Sequence, residues 1–184
     1  MTAIFHVLGF AGSLRRGSFN KSLLRAAGEL LPPGVELETF DLEGIPLFNQ
    51  DLDQQPPETV REFKARIRAA DALLIATPEY NYSVPGVLKN AIDWGSRPHG
   101  DNSFDGKPVA VMGASTGMLG TARAQYHLRQ SFVFLNMHPL NKPEVMVTFA
   151  KDKIDKDGRL IDQKARDLIR QLLENLVDWA KKIQ

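Results

Sequence analysis

The chain contains no cysteine. That excludes disulfides, thiolate nucleophiles, iron–sulfur clusters and thiol relays, so any redox chemistry must be carried by a bound cofactor. Histidine is scarce: His6, His99, His127 and His138 are scattered, without the His-Glu-x-x-His spacing of a zinc site, and no metal is expected. Neither sign of charge dominates, with 23 Lys+Arg against 22 Asp+Glu and a net charge of +1. Nothing therefore favours nucleic acid or a membrane surface as partner. No apolar run approaches the ~20 residues of a membrane span. Met1-Thr2-Ala3-Ile4 lacks the basic stretch of a signal peptide, which points to the cytoplasm. Two nucleotide fingerprints are also missing, G-x-G-x-x-G and G-x-x-x-x-G-K-[ST]. A dinucleotide held in the Rossmann manner and a Walker-type site are both excluded as expectations.

What is present is an alternation of short apolar runs and amphipathic stretches over 184 residues, the length of one domain, 1–184, with a sizeable core. Strands are predicted at 3–8, 35–40, 72–76, 108–112 and 144–149. Helices are predicted from Ser18 as N-cap, from Pro57-Glu58, over 87–94, over 121–135 and over 162–182. Residues 41–57 and 97–106 read as loops and 152–158 as a charged turn. Five strands separated by helices imply βαβ units, a parallel sheet covered on both faces, and a flavodoxin-like order 2-1-3-4-5.

In that order the loops after strands one, three and four converge at the switch point, outside the carboxyl ends of the strands. The first, Gly12-Ser13-Leu14-Arg15-Arg16-Gly17-Ser18-Phe19-Asn20, joins a strand to a helix N-terminus and looks like a cradle for a phosphate monoester. Backbone N–H groups and the helix dipole favour an anion there. Ser13, Ser18 and Asn20 add hydrogen bonds, and Arg15 or Arg16 adds charge. The second, Thr77-Pro78-Glu79-Tyr80-Asn81-Tyr82-Ser83-Val84-Pro85-Gly86, is rigidified by prolines and offers aromatic faces to a planar ring. The third, residues 113–120, is small enough for close backbone approach to a ring. Glu79 has no second carboxylate or histidine near it in sequence, so a loop-shaping role outweighs general-base work. Tyr126, His127 and Arg129 read as a packed or interface face rather than an acid–base cluster.

The first loop, the run Pro78 to Trp94 and the run Gln125-Tyr126-His127-Leu128-Arg129-Gln130 together resemble the NAD(P)H-dependent FMN reductases. Within these the likeness is nearest to bacterial quinone and chromate reductases, and azoreductases share the pattern. It spans nearly the whole chain, to Asn141-Lys142-Pro143-Glu144. The resemblance implies a flavodoxin-like fold, tightly held FMN, and dimers or tetramers. It implies that Ser13, Arg15, Ser18 and Asn20 hold the FMN phosphate, that Pro78, Glu79, Tyr80 and Asn81 border the isoalloxazine, and that Ser115 and Gly117 line its other polar edge. No protein residue is then catalytic, because FMN carries the chemistry. NADPH or NADH would be co-substrate, with Arg97 or His99 as candidate contacts.

The expected activity passes hydride from reduced nicotinamide to FMN and on to quinones, flavins, chromate or azo compounds by a ping-pong route. The pocket wall would come from Tyr80, Tyr82 and the loop around 45–47. The alternative is a flavodoxin-type electron carrier with no NAD(P)H oxidation of its own. Such carriers are strongly acidic for docking, which the net charge of +1 opposes. A receiver domain would need an aspartate where Thr77-Pro78 stand. Trp94, Tyr126 and Arg129 are expected to favour a homo-oligomeric interface.

Overall fold

The computed structural model describes residues 4–183. Its strands are β1 (Phe5–Ala11), β2 (Val35–Phe40), β3 (Ala72–Ala76), β4 (Pro108–Ala114), β5 (His138–Pro139) and β6 (Val145–Val147). Its helices are α1 (Phe19–Glu29), α2 (Glu58–Ala69), α3 (Gly86–Gly95), α4 (Ala122–Phe134), α5 (Ala150–Lys153) and α6 (Gln163–Ile183). The sheet runs β2-β1-β3-β4-β5, wholly parallel, with β6 also on β4. This is the expected flavodoxin-like order.

Strand alternation sorts the core into two layers. Val7, Leu74, Ala76, Ala110 and Met112 face α1 and α6, meeting Leu23, Leu172 and Leu173. Leu8, Phe10, Ile75 and Val111 face α2, α3 and α4, meeting Phe63, Ile92 and Phe132. The central strands β3 and β4 are buried along their full length, which explains why they read as unbroken apolar runs.

The last expected strand, 144–149, forms as the shorter β6, and an additional short strand, β5, precedes it on the same edge of β4. β5 pairs with the start of β4 (Pro108 with His138), and β6 with its end (Met112 with Val145). Pro139 and Pro143 have no N–H to give, so the edge ladder cannot run unbroken between them. β1 extends further than expected, to Ala11, while Ala3 lies outside the described residues.

Two other expectations change. Trp94 is core, not surface: it is 1% exposed, its Nε1–H donates to Pro46 O at 2.8 Å, and Phe48 meets its ring edge-on at 5.0 Å. Asn90 grips the same loop, accepting from Phe48 N–H and donating to Pro46 O. The segment 97–106 is likewise more than a polar surface loop. Phe104 is fully buried over Gly95, where a Cβ would stand 2.5 Å from its ring. Buried Lys64 holds that segment through Asp101 (2.7 Å) and the Arg97 carbonyl.

Candidate functional site

β1 hands the chain to α1 through the first loop. Gly12 lies against Pro85 and Leu88, where a Cβ would come within 3.0–3.1 Å, so the loop starts tight against α3. Ser18 caps α1, its Oγ accepting from Lys21 N–H at a long 3.5 Å. Ser13 Oγ accepts from Arg15 N–H at 3.4 Å, and Ser18 N–H closes a turn onto Arg15 O at 3.1 Å. The N–H groups of Leu14, Arg16 and Gly17 find no acceptor among the described residues. Arg15 stands with its guanidinium 5.0 Å from the Phe19 ring centroid, and no carboxylate among the described residues pairs with it.

Asn20 fixes the cradle to the sheet. It is 2% exposed and bonds reciprocally to Ala114 at the end of β4, Nδ2 to O at 3.0 Å and N–H to Oδ1 at 2.9 Å. Its amide is therefore largely committed within the protein, and only its second Nδ2 hydrogen remains for a ligand.

The second loop is a hairpin. Tyr80 and Ser83 exchange backbone bonds of 3.2 and 3.0 Å, and Asn81 (φ 50°) and Tyr82 (φ 65°) both sit in the left-handed region between them. Glu79 is the anchor. Its side chain is 5% exposed, and Oε2 accepts from Arg123 N–H (3.0 Å) and Ala124 N–H (3.1 Å) at the start of α4. Oε1 accepts from Arg123 Nε at 2.6 Å. A carboxylate here satisfies orphan donors and complements the helix dipole. In return it pushes the Arg123 guanidinium above its usual range. The loop-shaping role expected of Glu79 is the one it plays.

The third loop begins at Ser115. Its N–H donates to Val147 O, its carbonyl accepts from Ala150 N–H, and its Oγ accepts from Gly117 N–H at 3.1 Å. Gly113 lies so close to Thr77 O and the Thr121 side chain that a Cβ has no room there.

These loops enclose a cavity of about 340 Å³. Ser13, Arg15, Ser18, Asn20, Pro78, Glu79, Tyr80 and Ser115 line it, together with Phe19, Ala114 and Thr116. Of the ten sequence-derived site residues, Asn81 and Gly117 stand off its wall, one at the hairpin tip and one behind Ser115. Tyr82 and residues 45–47 are not part of the lining. Arg97 and His99 fall elsewhere in this chain. They line a separate 410 Å³ cavity with Asn102, Asp105 and Phe134, beside the start of β4 and so at the opposite end of the sheet.

The donor set suits one phosphate ester. The hydroxyls of Ser13, Ser18 and Ser115 are each seen accepting, which leaves each O–H to donate. With Arg15, which has no carboxylate partner among the described residues, these hydroxyls face a space within the range of small-ligand sites, about 300–1,000 Å³. Pro78, Glu79 and Tyr80 form the adjoining wall.

A doubly wound sheet with this cradle at its switch point defines a mononucleotide-binding α/β protein. The model of one family, NADPH-dependent FMN reductase, matches residues 5–152, and the chain belongs to that family. A NAD(P)H-dependent FMN reductase of Pseudomonas aeruginosa is 57% identical over 97% of this chain and 96% of its own length. A 2-hydroxy-1,4-benzoquinone reductase from a Burkholderia species is 44% identical over 92% and 93%. The solved structure of the flavoenzyme NAD(P)H:(acceptor) oxidoreductase FerB from Paracoccus denitrificans superposes with a TM-score of 0.88 at 36% identity, covering 97% of this chain and 98% of that one. The chain is thus an oxidoreductase of the FMN and quinone reductase kind. No helix among the described residues is long and apolar enough to cross a membrane.

Proposed function

We propose that this chain binds one FMN in the cavity between the three loops and passes reducing equivalents from NADH or NADPH to a small oxidised acceptor of the quinone class. The observation that carries the reading is that Ser13, Arg15 and Ser18 line one cavity together with Pro78, Glu79 and Tyr80. When bound, FMN supplies the redox chemistry, accepting hydride from the nicotinamide and returning electrons to the acceptor. Ser13, Arg15, Ser18 and the loop amides would hold the phosphate, with Asn20 bracing them from below. Pro78, Glu79, Tyr80 and Asn81 would border the ring, the first three by backbone and Tyr80 also by its side chain. Ser115 and Gly117 would meet its polar edge.

Walls on one side leave a single open face. Nicotinamide and acceptor would use it in turn, with reacting atoms about 3–3.5 Å apart, so the order is ping-pong. Quinones lead the acceptors; free flavins, chromate and azo compounds fit the same open face. Because reduced nicotinamides are held inside cells, the reading includes a cytoplasmic location. It also includes one working domain per chain in a dimer or tetramer. What supports an oligomer is the outer side of α4, where Tyr126 is half-exposed and Val133 and Phe134 are 84% and 79% exposed. Light scattering tests this, and a stable monomer at micromolar concentration overturns it.

The decisive experiment is spectroscopic. Full-length protein should take up FMN and turn yellow, and bleach on adding NADH or NADPH. A protein that takes up no FMN defeats the proposal. One that binds FMN yet oxidises neither nicotinamide is the electron carrier instead. Parallel double-reciprocal lines are expected for the two substrates, and intersecting lines refute the shared opening.

A further inference from the structure

Arg123 and His127 lie four residues apart on α4 and so on one face of it. That face meets the 80–83 hairpin and its root at three places. Arg123 binds both carboxylate oxygens of Glu79, through its side chain and its own N–H. The same guanidinium lies over the Tyr82 ring, 3.5 Å from its centroid. His127 Nδ1 is within hydrogen-bond distance of Ser83 Oγ, at 3.0 Å.

The hairpin needs such restraint. A turn with two successive left-handed residues suits Asn-Gly, and Asn81 fits its half of that pattern. Tyr82 does not: a bulky residue at φ 65° is held in a sparsely populated conformation and persists only where its surroundings impose it. The residue is 67% exposed, so core burial does not hold it. What meets it is the stacked Arg123 cation, beside the two Tyr80–Ser83 backbone bonds that close the turn. Tyr80, at the other end of the turn, is a wall of the cavity, while neither Arg123 nor His127 is.

We propose that Arg123 and His127 are positioning residues that act from outside the cavity, fixing the Tyr80–Ser83 hairpin and with it the wall against which the flat ring of the cofactor lies. The inference rests on the FMN reading above and deepens it. It separates two contributions to flavin binding, the cradle acting on the phosphate and the α4 clamp acting on the ring.

The test titrates FMN and riboflavin, which lacks the phosphate, into the full-length chain dialysed free of flavin. Arg123→Lys keeps a charge for Glu79 but loses the planar stack on Tyr82. It should weaken both flavins about tenfold, leaving their affinity ratio as in the wild type. His127→Ala should do the same by about threefold. Arg15→Ala, in the cradle, should lower FMN affinity alone and collapse the ratio. Both clamp variants should also raise KM for a quinone more than they lower kcat. Gln125→Ala controls for simple loss of helix stability: Gln125 is on α4 but donates to Thr121 and Val145, away from the hairpin. It should lower the melting temperature and leave riboflavin affinity intact. Clamp variants that bind both flavins like wild type overturn the inference, as does weakening that tracks melting temperature as closely in Gln125→Ala as in Arg123→Lys. Wild-type protein that binds neither flavin would instead remove the FMN reading itself.

Discussion

The cradle and the hairpin lie at the same end of the sheet but use their polar groups in opposite ways. In the cradle, donors are left open: among the described residues the amides of Leu14, Arg16 and Gly17 have no acceptor and Arg15 has no carboxylate. In the hairpin almost everything is spent inside the protein, with Glu79, Tyr82 and Ser83 all engaged by α4. An anion site needs unsatisfied donors, and these keep their places only if something else is rigid. Asn20 supplies that rigidity from beneath by bonding to Ala114. A ring-facing wall needs shape rather than free donors, so its polar groups can all serve to hold the backbone.

The sharpest way to break this contrast is Asn20→Asp. The carboxylate would confront the Ala114 carbonyl it now donates to, and would bring negative charge under the cradle. A loss of about 2–4 kcal/mol in urea unfolding is expected, together with loss of FMN binding; unchanged stability would show that Asn20 is not the brace. Next comes Arg15→Ala, which should cost about 1–3 kcal/mol of FMN affinity by fluorescence titration while the unfolding midpoint stays put. A shifted midpoint would mean that the arginine is structural. Tyr80→Ala should change turnover with little cost to folding, within ~0.5 kcal/mol, because the residue is half-exposed on a loop. Equal losses of activity and stability would contradict that.

The smallest effect lies at the far end of the sheet, where Asp101 pairs with Lys64 and Arg68. Burial pushes the Asp101 carboxyl up, but its bond from Lys64 and the charges of Lys64 and Arg68 outweigh this and hold it below its ordinary value of 3.8. A lowered carboxylate stabilises the fold above that value, and the contribution is lost as pH falls through the lower folded one. Asp101→Asn should therefore melt slightly earlier than wild type at neutral pH, with the gap closing below about pH 3.8. A gap that persists in acid would assign it to packing.

Much of this was legible in the residues. Ser18 as N-cap, the apolar runs of β3 and β4 and the proline-bounded second loop each carry a local physical signal. Period and capping chemistry act over a few residues, so a sequence displays them. The interface expected of Trp94 failed for the complementary reason. Its partner is the Pro46 carbonyl, 48 residues away, and nothing near Trp94 in sequence announces it. The same holds for the clamp: Glu79 has no charged neighbour in sequence, and Arg123 lies 44 residues on. The extra short strand before the last one had a local clue in Pro139 and Pro143, whose missing N–H groups interrupt an edge ladder.

By itself, then, the sequence determined the alternation of strands and helices, the three loops that converge and the chemical character of the cradle. These depend on residue type and spacing. Tertiary structure alone decided which polar groups remain free to bind and which are consumed. That is a question of partners brought together across the fold: Asn20 is closed off by Ala114, and Glu79 and Tyr82 are both engaged by Arg123 of α4. A donor is available to a ligand only when the fold supplies it no acceptor, and no stretch of residues shows that until the chain has folded back on itself.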